Sequence, residues 1–188
     1  MSDLPHVNEP NLVPWGRAVF CASCAQRLLP VYLGFCRRDE VAPEFADWLH
    51  MAWEVLAGRE QLSKAELEEH DREALDAVPS GGGPGVQDTA LAVVQVLREL
   101  LQTWPGKVTG CGKRLVREIE TYLVHELSVS IEDVSEHALV REEMDRQERD
   151  LKELASVGEP PSEQRGALVD LFRERATREG LAFLVRED

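Results

Sequence analysis

Apolar side chains recur at intervals of three and four along most of the chain, the spacing that gathers them on one side of a helix. From about Trp15 to Leu29, the residues Val19, Phe20, Ala22, Cys24 and Leu28 make such a face, and Pro30 is expected to stop it, leaving a short apolar piece from Val31 to Cys36. A second helix is expected over Glu44 to Leu56, with Phe45, Trp48, Leu49, Ala52, Trp53 and Leu56 as its stripe and Gly58 after its end. Ser63 stands three residues before Glu66, a capping-box spacing that opens a charged helix running through Val78. The stretch PSGGGPG opposes both helix and strand and reads as a flexible loop over 79–86. Beyond it, Gln87 to Trp104 is apolar around most of its circumference and is expected to lie centrally. Lys113 to Leu127 repeats the amphipathic spacing. Ser130 to Ala155 is one long helix or two, and Ser162 opens a last helix to about Glu179. Strand-like alternation is almost absent. The expected fold is therefore all-α, a single-domain bundle of six to eight helices over 1–188, with an extended arm at 1–13 and an apolar carboxy-terminal tail at 181–188.

Charge changes this picture. The 188 residues carry 35 acidic and 21 basic side chains, so the net charge is −14. With a sequence pI near 4.8 the chain repels nucleic-acid phosphates and attracts basic partners. Four unevenly spaced cysteines make no secreted disulfide framework and suit reduced thiols. The start MSDLPHVNEPNL lacks the basic and apolar regions of a secretion signal, and charges interrupt the apolar runs, so a cytoplasmic protein without a membrane segment is expected.

Several spacings invite a chemical reading and fall short of it. Cys21 and Cys24 form a C-x-x-C, yet only Cys36 follows nearby and Cys111 is distant, so neither a zinc site nor a redox dithiol is completed and two core thiols are the simpler reading. Asp47, His50 and Glu54 lie at helical spacing along one side, but the second Glu-x-x-His pair that a di-iron bundle needs is missing. Gly110, Cys111, Gly112 and Lys113 resemble a phosphate loop without its earlier glycine or its hydroxyl residue. No catalytic residue, metal or cofactor is assigned.

The distribution of acids is more informative. Residues 39–76 hold 12 acids and 3 bases, a balance of −9, and residues 118–145 hold 9 acids and 1 base, a balance of −8. Together these exceed the whole chain's excess, so the negative charge is concentrated in two helical stretches. Glu66, Glu68, Glu69, Asp71 and Glu73 in the first, and Glu132, Asp133 and Glu136 in the second, are the expected contact residues for a basic protein partner. The expected function is non-catalytic: an acidic domain that masks a basic partner such as a toxin domain, in the manner of an immunity protein.

The run of Trp15, Phe20, Ala22, Cys24, Arg27, Pro30, Tyr32 and Phe35, followed by Trp53, Glu54 and Leu56, resembles the YjaG-like bacterial family of unknown function. The resemblance implies an all-helical cytoplasmic protein and supplies no catalytic residues. It leaves open an alternative function, a housekeeping member of that family that binds a metal through Asp47, His50 and Glu54 or through the cysteines. Physically, Trp15, Phe20, Tyr32 and Trp53 read as architecture and Pro30 as a corner between helices, with Arg27 expected to pair with Glu54 beneath that corner.

Overall fold

The computed structural model describes residues 11–81, 83–103 and 107–181. Among them it contains seven α-helices, α1 (Pro14–Asp39), α2 (Glu44–Leu56), α3 (Lys64–Asp76), α4 (Pro84–Leu100), α5 (Thr109–His125), α6 (Ala138–Val157) and α7 (Ser162–Arg178), and a short 3-10 turn at Val134–Glu136. No strand occurs among the described residues. The all-α bundle expected from periodicity is the fold observed.

Helices α1 and α4 form the centre. α1 packs most extensively on α4 and also touches α2, α5, α6 and α7, while α3 lies on α4 and α2. This follows from side-chain distribution. Val19, Phe20, Cys21, Ala22, Cys24, Ala25 and Leu28 are all fully buried, and Val93, Val96 and Leu97 meet them from α4. α1 also has the length and hydropathy of a membrane-crossing helix, which the expectation from charge spacing did not anticipate, but in the bundle most of that segment is core.

Pro30 does not end α1, as the sequence reading expected. The helix runs through it to Asp39. Proline removes one amide donor and crowds the preceding turn, and here carbonyls of that turn find partners elsewhere. Leu181 N donates to Arg27 O at 2.9 Å and Thr89 Oγ1 donates to Leu28 O at 3.3 Å. Instead of turning a corner, Pro30 lies against the end of α7, where a Cβ on Gly180 would be 3.1 Å from its Cγ.

Two starts in the second half of the chain differ from the pattern: α5 begins at Thr109 and not Lys113, and α6 begins at Ala138 and not Ser130, because 126–137 form a loop and a 3-10 turn. α2 spans Glu44–Leu56 as read, and Ser63 and Glu66 exchange both capping-box hydrogen bonds at the start of α3. α4 begins at Pro84, so the glycine-rich connection is shorter than the 79–86 expected. Of the expected terminal arm and tail, residues 1–10 and 182–188 lie outside the described residues; Leu12 and Leu181, which border them, are buried.

Candidate functional site

Arg27 is fully buried at the centre of an ion cluster that joins α1 to α6 and to the end of α7. Its Nη1 donates to Asp150 Oδ2 at 2.8 Å and to Glu179 Oε2 at 3.1 Å, and its Nε lies 3.4 Å from Glu143 Oε1. Arg149 and Arg175 bind Asp150 from the outer side, and Arg149 also holds both oxygens of Glu179. Desolvation pulls the Arg27 guanidinium down, but Glu143, the Cys24 side chain and Asp150 more than reverse it, so its pKa lies above the ordinary arginine value. Burial raises Glu143 against the pull of Arg27, the Gln147 amide and Arg146.

Arg27 therefore does not pair with Glu54. Glu54 is held instead by Arg173, whose Nη1 donates to its Oε1 at 3.2 Å, and by Arg59, whose Nη1 lies 3.6 Å from its Oε2. Both arginines lie outside the motif that suggested an Arg27 partner. His50 Nδ1 is 2.8 Å from Arg173 Nη2 and 4.0 Å from Glu54 Oε1. His50 and Glu54 thus face guanidinium groups, and Asp47 is exposed. Among the described residues, no group of three or more His, Cys, Asp or Glu side chains is arranged to hold a metal ion.

The remaining motif residues are architectural. Phe20 and Trp53 are fully buried. Trp15 donates its indole N–H to Leu56 O at 3.1 Å and Trp53 donates to Gln26 Oε1 at 3.0 Å, which ties α1 to α2 twice. Tyr32 donates to Ala42 O at 3.3 Å and stacks edge-on against Phe45, ring centroids 5.3 Å apart. The four cysteines are buried free thiols, and Cys21 and Cys24 are pushed well up, first of all by desolvation. The phosphate-loop look of Gly110 to Lys113 has a packing origin. These residues form the first turn of α5, and Gly112 lets α6 approach until Gln147 Nε2 donates to Gly112 O at 3.0 Å.

A cleft of about 420 Å³ opens between Trp15, Ala18, Leu56, Glu99 and Arg165. Its charged walls are already engaged. Arg17 donates to both oxygens of Glu99 at 2.9 and 3.0 Å, and Arg165 pairs with Glu159.

The two acidic stretches take different positions in the bundle. In the first, α3 packs on α4 and α2; in the second, the Val134–Glu136 turn packs on α5 and α6. On α3, Glu68 lies 3.5 Å from Lys64, Glu69 3.5 Å from Arg72, Glu73 3.6 Å from His70, and Asp71 accepts from Arg98 at 2.9 Å. Glu66 belongs to the capping box, and the Ser63 backbone and side-chain hydrogen bonds hold its carboxyl below the usual range. In the second stretch Glu118 and Glu143 are buried, so the surface there is less acidic than the count along the chain.

The connection from α5 to α6 is exposed, as are Glu66, Glu68, Glu69, Glu73 and Leu75 on α3. The connection is a tight, hydrogen-bonded loop: Val129 N donates to Leu123 O at 2.9 Å, Ser130 Oγ donates to Asp133 Oδ2 at 2.7 Å, and Val134 is buried beneath. On that base Ile131 is 79% exposed and Leu127 51% exposed. In the same connection Glu126, Glu132, Asp133 and Glu136 are also exposed, with Glu136 paired to Arg141. The pattern of acids had indicated three of these residues. The exposure of these two apolar residues is hidden in the sequence, because Leu127 reads as the last inward position of α5 and Ile131 as an ordinary residue of the next helix.

The family model described as "Protein of unknown function (DUF416)" matches residues 8–182, nearly the whole chain. The chain belongs to the DUF416 family. This agrees with the resemblance seen over Trp15 to Leu56, that of an all-helical bacterial family of unknown function. The crystal structure of a DUF416 family protein from Shewanella baltica OS155 has the same fold, with a TM-score of 0.72 at 16% sequence identity over 93% of each chain. No curated protein matches the sequence. The DUF416 fold thus accounts for the architecture, and membership brings no activity with it.

Proposed function

We propose that this DUF416 protein is a non-catalytic binding module for a basic protein partner, and that the α5–α6 connection is the centre of the contact. The observation that supports it is the exposure of Ile131 and Leu127 in the same connection as Glu126, Glu132, Asp133 and Glu136. An apolar anchor ringed by charge is how protein interfaces concentrate their energy, with the centre desolvated and the rim steering approach. The acids on α3 add to the same long-range field. A cytoplasmic inhibitor that masks a cationic toxin domain is the finer form of this reading.

A photo-crosslinking side chain at position 131, introduced in the producing cell, tests it. Capture of a basic protein at position 131, and not at position 68 on α3, is expected. Equal capture at both positions, or capture of acidic proteins, contradicts it.

Family membership supports a second reading, a general DUF416 role of unknown chemistry. Its metal-binding form would draw on Asp47, His50 and Glu54, beside Arg173 and Arg59. Stoichiometric metal in protein purified without chelator is the result that would favour it.

A further inference from the structure

The first turn of α4 is built on a buried carboxyl group. A Cβ on Gly85 would lie 2.6 Å from Glu118 Oε2 and 2.9 Å from Val31 Cγ1, so the backbone of that turn rests directly on the Glu118 side chain. Thr89 completes the turn: its Oγ1 carries one proton, with Gly85 O at 2.8 Å from Oγ1 as the nearer acceptor and Leu28 O on α1 at 3.3 Å as the other.

Beside Glu118 is Asp88, which is also buried and takes the available arginines. Arg114 Nη1 donates to Asp88 Oδ1 at 2.9 Å and Arg117 Nε donates to Oδ2 at 3.0 Å. Glu118 Oε1, by contrast, is a buried atom with no hydrogen-bond partner among the described residues. Two adjacent buried carboxyls cannot both ionise cheaply when only one of them is neutralised. The charged groups acting on Glu118 are Asp88 from α4 and Arg117 from its own helix. α1 contributes the apolar Val31. α6 meets α5 at Gly112 through Gln147, next to Glu143, and Glu136 in the 3-10 turn is paired with Arg141.

We propose that Glu118 is a proton-linked latch: while protonated beneath Gly85 it holds the first turn of α4 against α5, and loss of its proton to solvent releases the turn. Geometry carries the inference, and the titration of Glu118 agrees with it. Burial and the hydrogen bond to Asp88 push Glu118 up to about 7, so the latch changes state in the neutral range. When Glu118 ionises, its charge opposes Asp88 and competes for Arg117, whose side chain is 56% exposed and has room to move. Either rearrangement removes the surface on which Gly85 rests. This device is independent of the partner-binding reading.

Hydrogen exchange of the amides of residues 85–89, as protection factors corrected for intrinsic exchange, tests it on the full chain at pH 6 and pH 8. A midpoint near 7 takes the protonated fraction from about 0.9 to about 0.09, so wild-type protection is expected to fall about tenfold. Glu118→Gln keeps a neutral donor beside Asp88, and its protection is expected to stay within about twofold. A parallel fall in both proteins, or no fall in either, overturns the latch. The side-chain carboxyl of Glu118 in the unmutated protein, followed by carbon NMR, gives a second readout. A midpoint near 7 is expected, and one in the ordinary carboxylate range overturns the proposal without any variant.

Discussion

Replacing Arg27 by alanine removes the one cation enclosed by Glu143, Asp150 and Glu179, three acids from α6 and the end of α7. Glu143 and Asp150 are as buried as Arg27 itself. Among the described residues Glu143 keeps Arg146 at 3.9 Å as its one cation, while Asp150 keeps Arg149 and Arg175. Breaking a buried pair from one side costs about 3 to 5 kcal/mol, because the charge left behind is neither hydrated nor paired. Against a total stability of roughly 5 to 15 kcal/mol, that is a large part of what keeps the bundle folded. Urea unfolding at pH 8 measures it as a lower midpoint at constant slope. Arg27→Met preserves most of the volume, so it should lose nearly as much as Arg27→Ala if charge is the cause. A double-mutant cycle adds the spatial test. Arg27→Met with Asp150→Asn should show coupling of 1 kcal/mol or more, and Arg27→Met with Glu54→Gln should add to within about 0.5 kcal/mol. A loss below about 1 kcal/mol in both single variants, or coupling to Glu54 and not to Asp150, refutes the reasoning.

Glu118→Gln should change the pH dependence of stability. A carboxyl raised in the folded state from 4.5 to about 7 binds protons that the unfolded chain releases, so stability falls as pH rises through that window. The variant should be the more stable protein at pH 8, by an amount on the order of 1 to 3 kcal/mol, and should lose this advantage near pH 5; thermal melts at the two pH values read the difference. Gly112→Ala places a Cβ 2.1 Å from Gln147 Oε1. Gln147 must then give up its bonds to Gly112 O and Glu143, and a loss of about 1 to 3 kcal/mol in chemical unfolding is expected; an unchanged midpoint would mean α6 yields freely there. The four buried thiols should be silent to a thiol-titrating disulfide reagent in the folded protein and all react after unfolding. Rapid reaction of Cys21 or Cys24 in the native state would contradict their burial.

Local signals in the sequence were read correctly where the physics is local. The stripe from Phe45 to Leu56 and the Ser63 to Glu66 capping box fix α2 and the start of α3 from residues one turn apart. Pro30 lies inside α1 although its residue type predicts a stop, and the groups that bond neighbouring carbonyls, Leu181 and Thr89, lie far along the chain. Arg27 was recognised as important but given the wrong partner, since Glu143, Asp150 and Glu179 are brought to it only by the packing of α6 and α7 on α1. A charge count along the chain also cannot separate Glu118 and Glu143, which are buried, from Glu132 and Asp133, which are exposed. The apolar centre of the candidate face was missed because Ile131 is exposed only once α5 ends and the chain turns at Ser128, whose φ is 55°.

The most direct test of the account is the association rate of the partner captured at position 131, measured against salt for the unmutated protein, Ile131→Ala, and a Glu132→Lys, Asp133→Lys double reversal. Ile131→Ala is expected to weaken binding about thirtyfold, chiefly through faster dissociation and with an unchanged melting temperature. The reversal is expected to slow association several-fold at low salt, a difference that fades at high salt. Equal association rates at every salt concentration, together with unaltered affinity of Ile131→Ala, would contradict the claim that this face binds a basic partner.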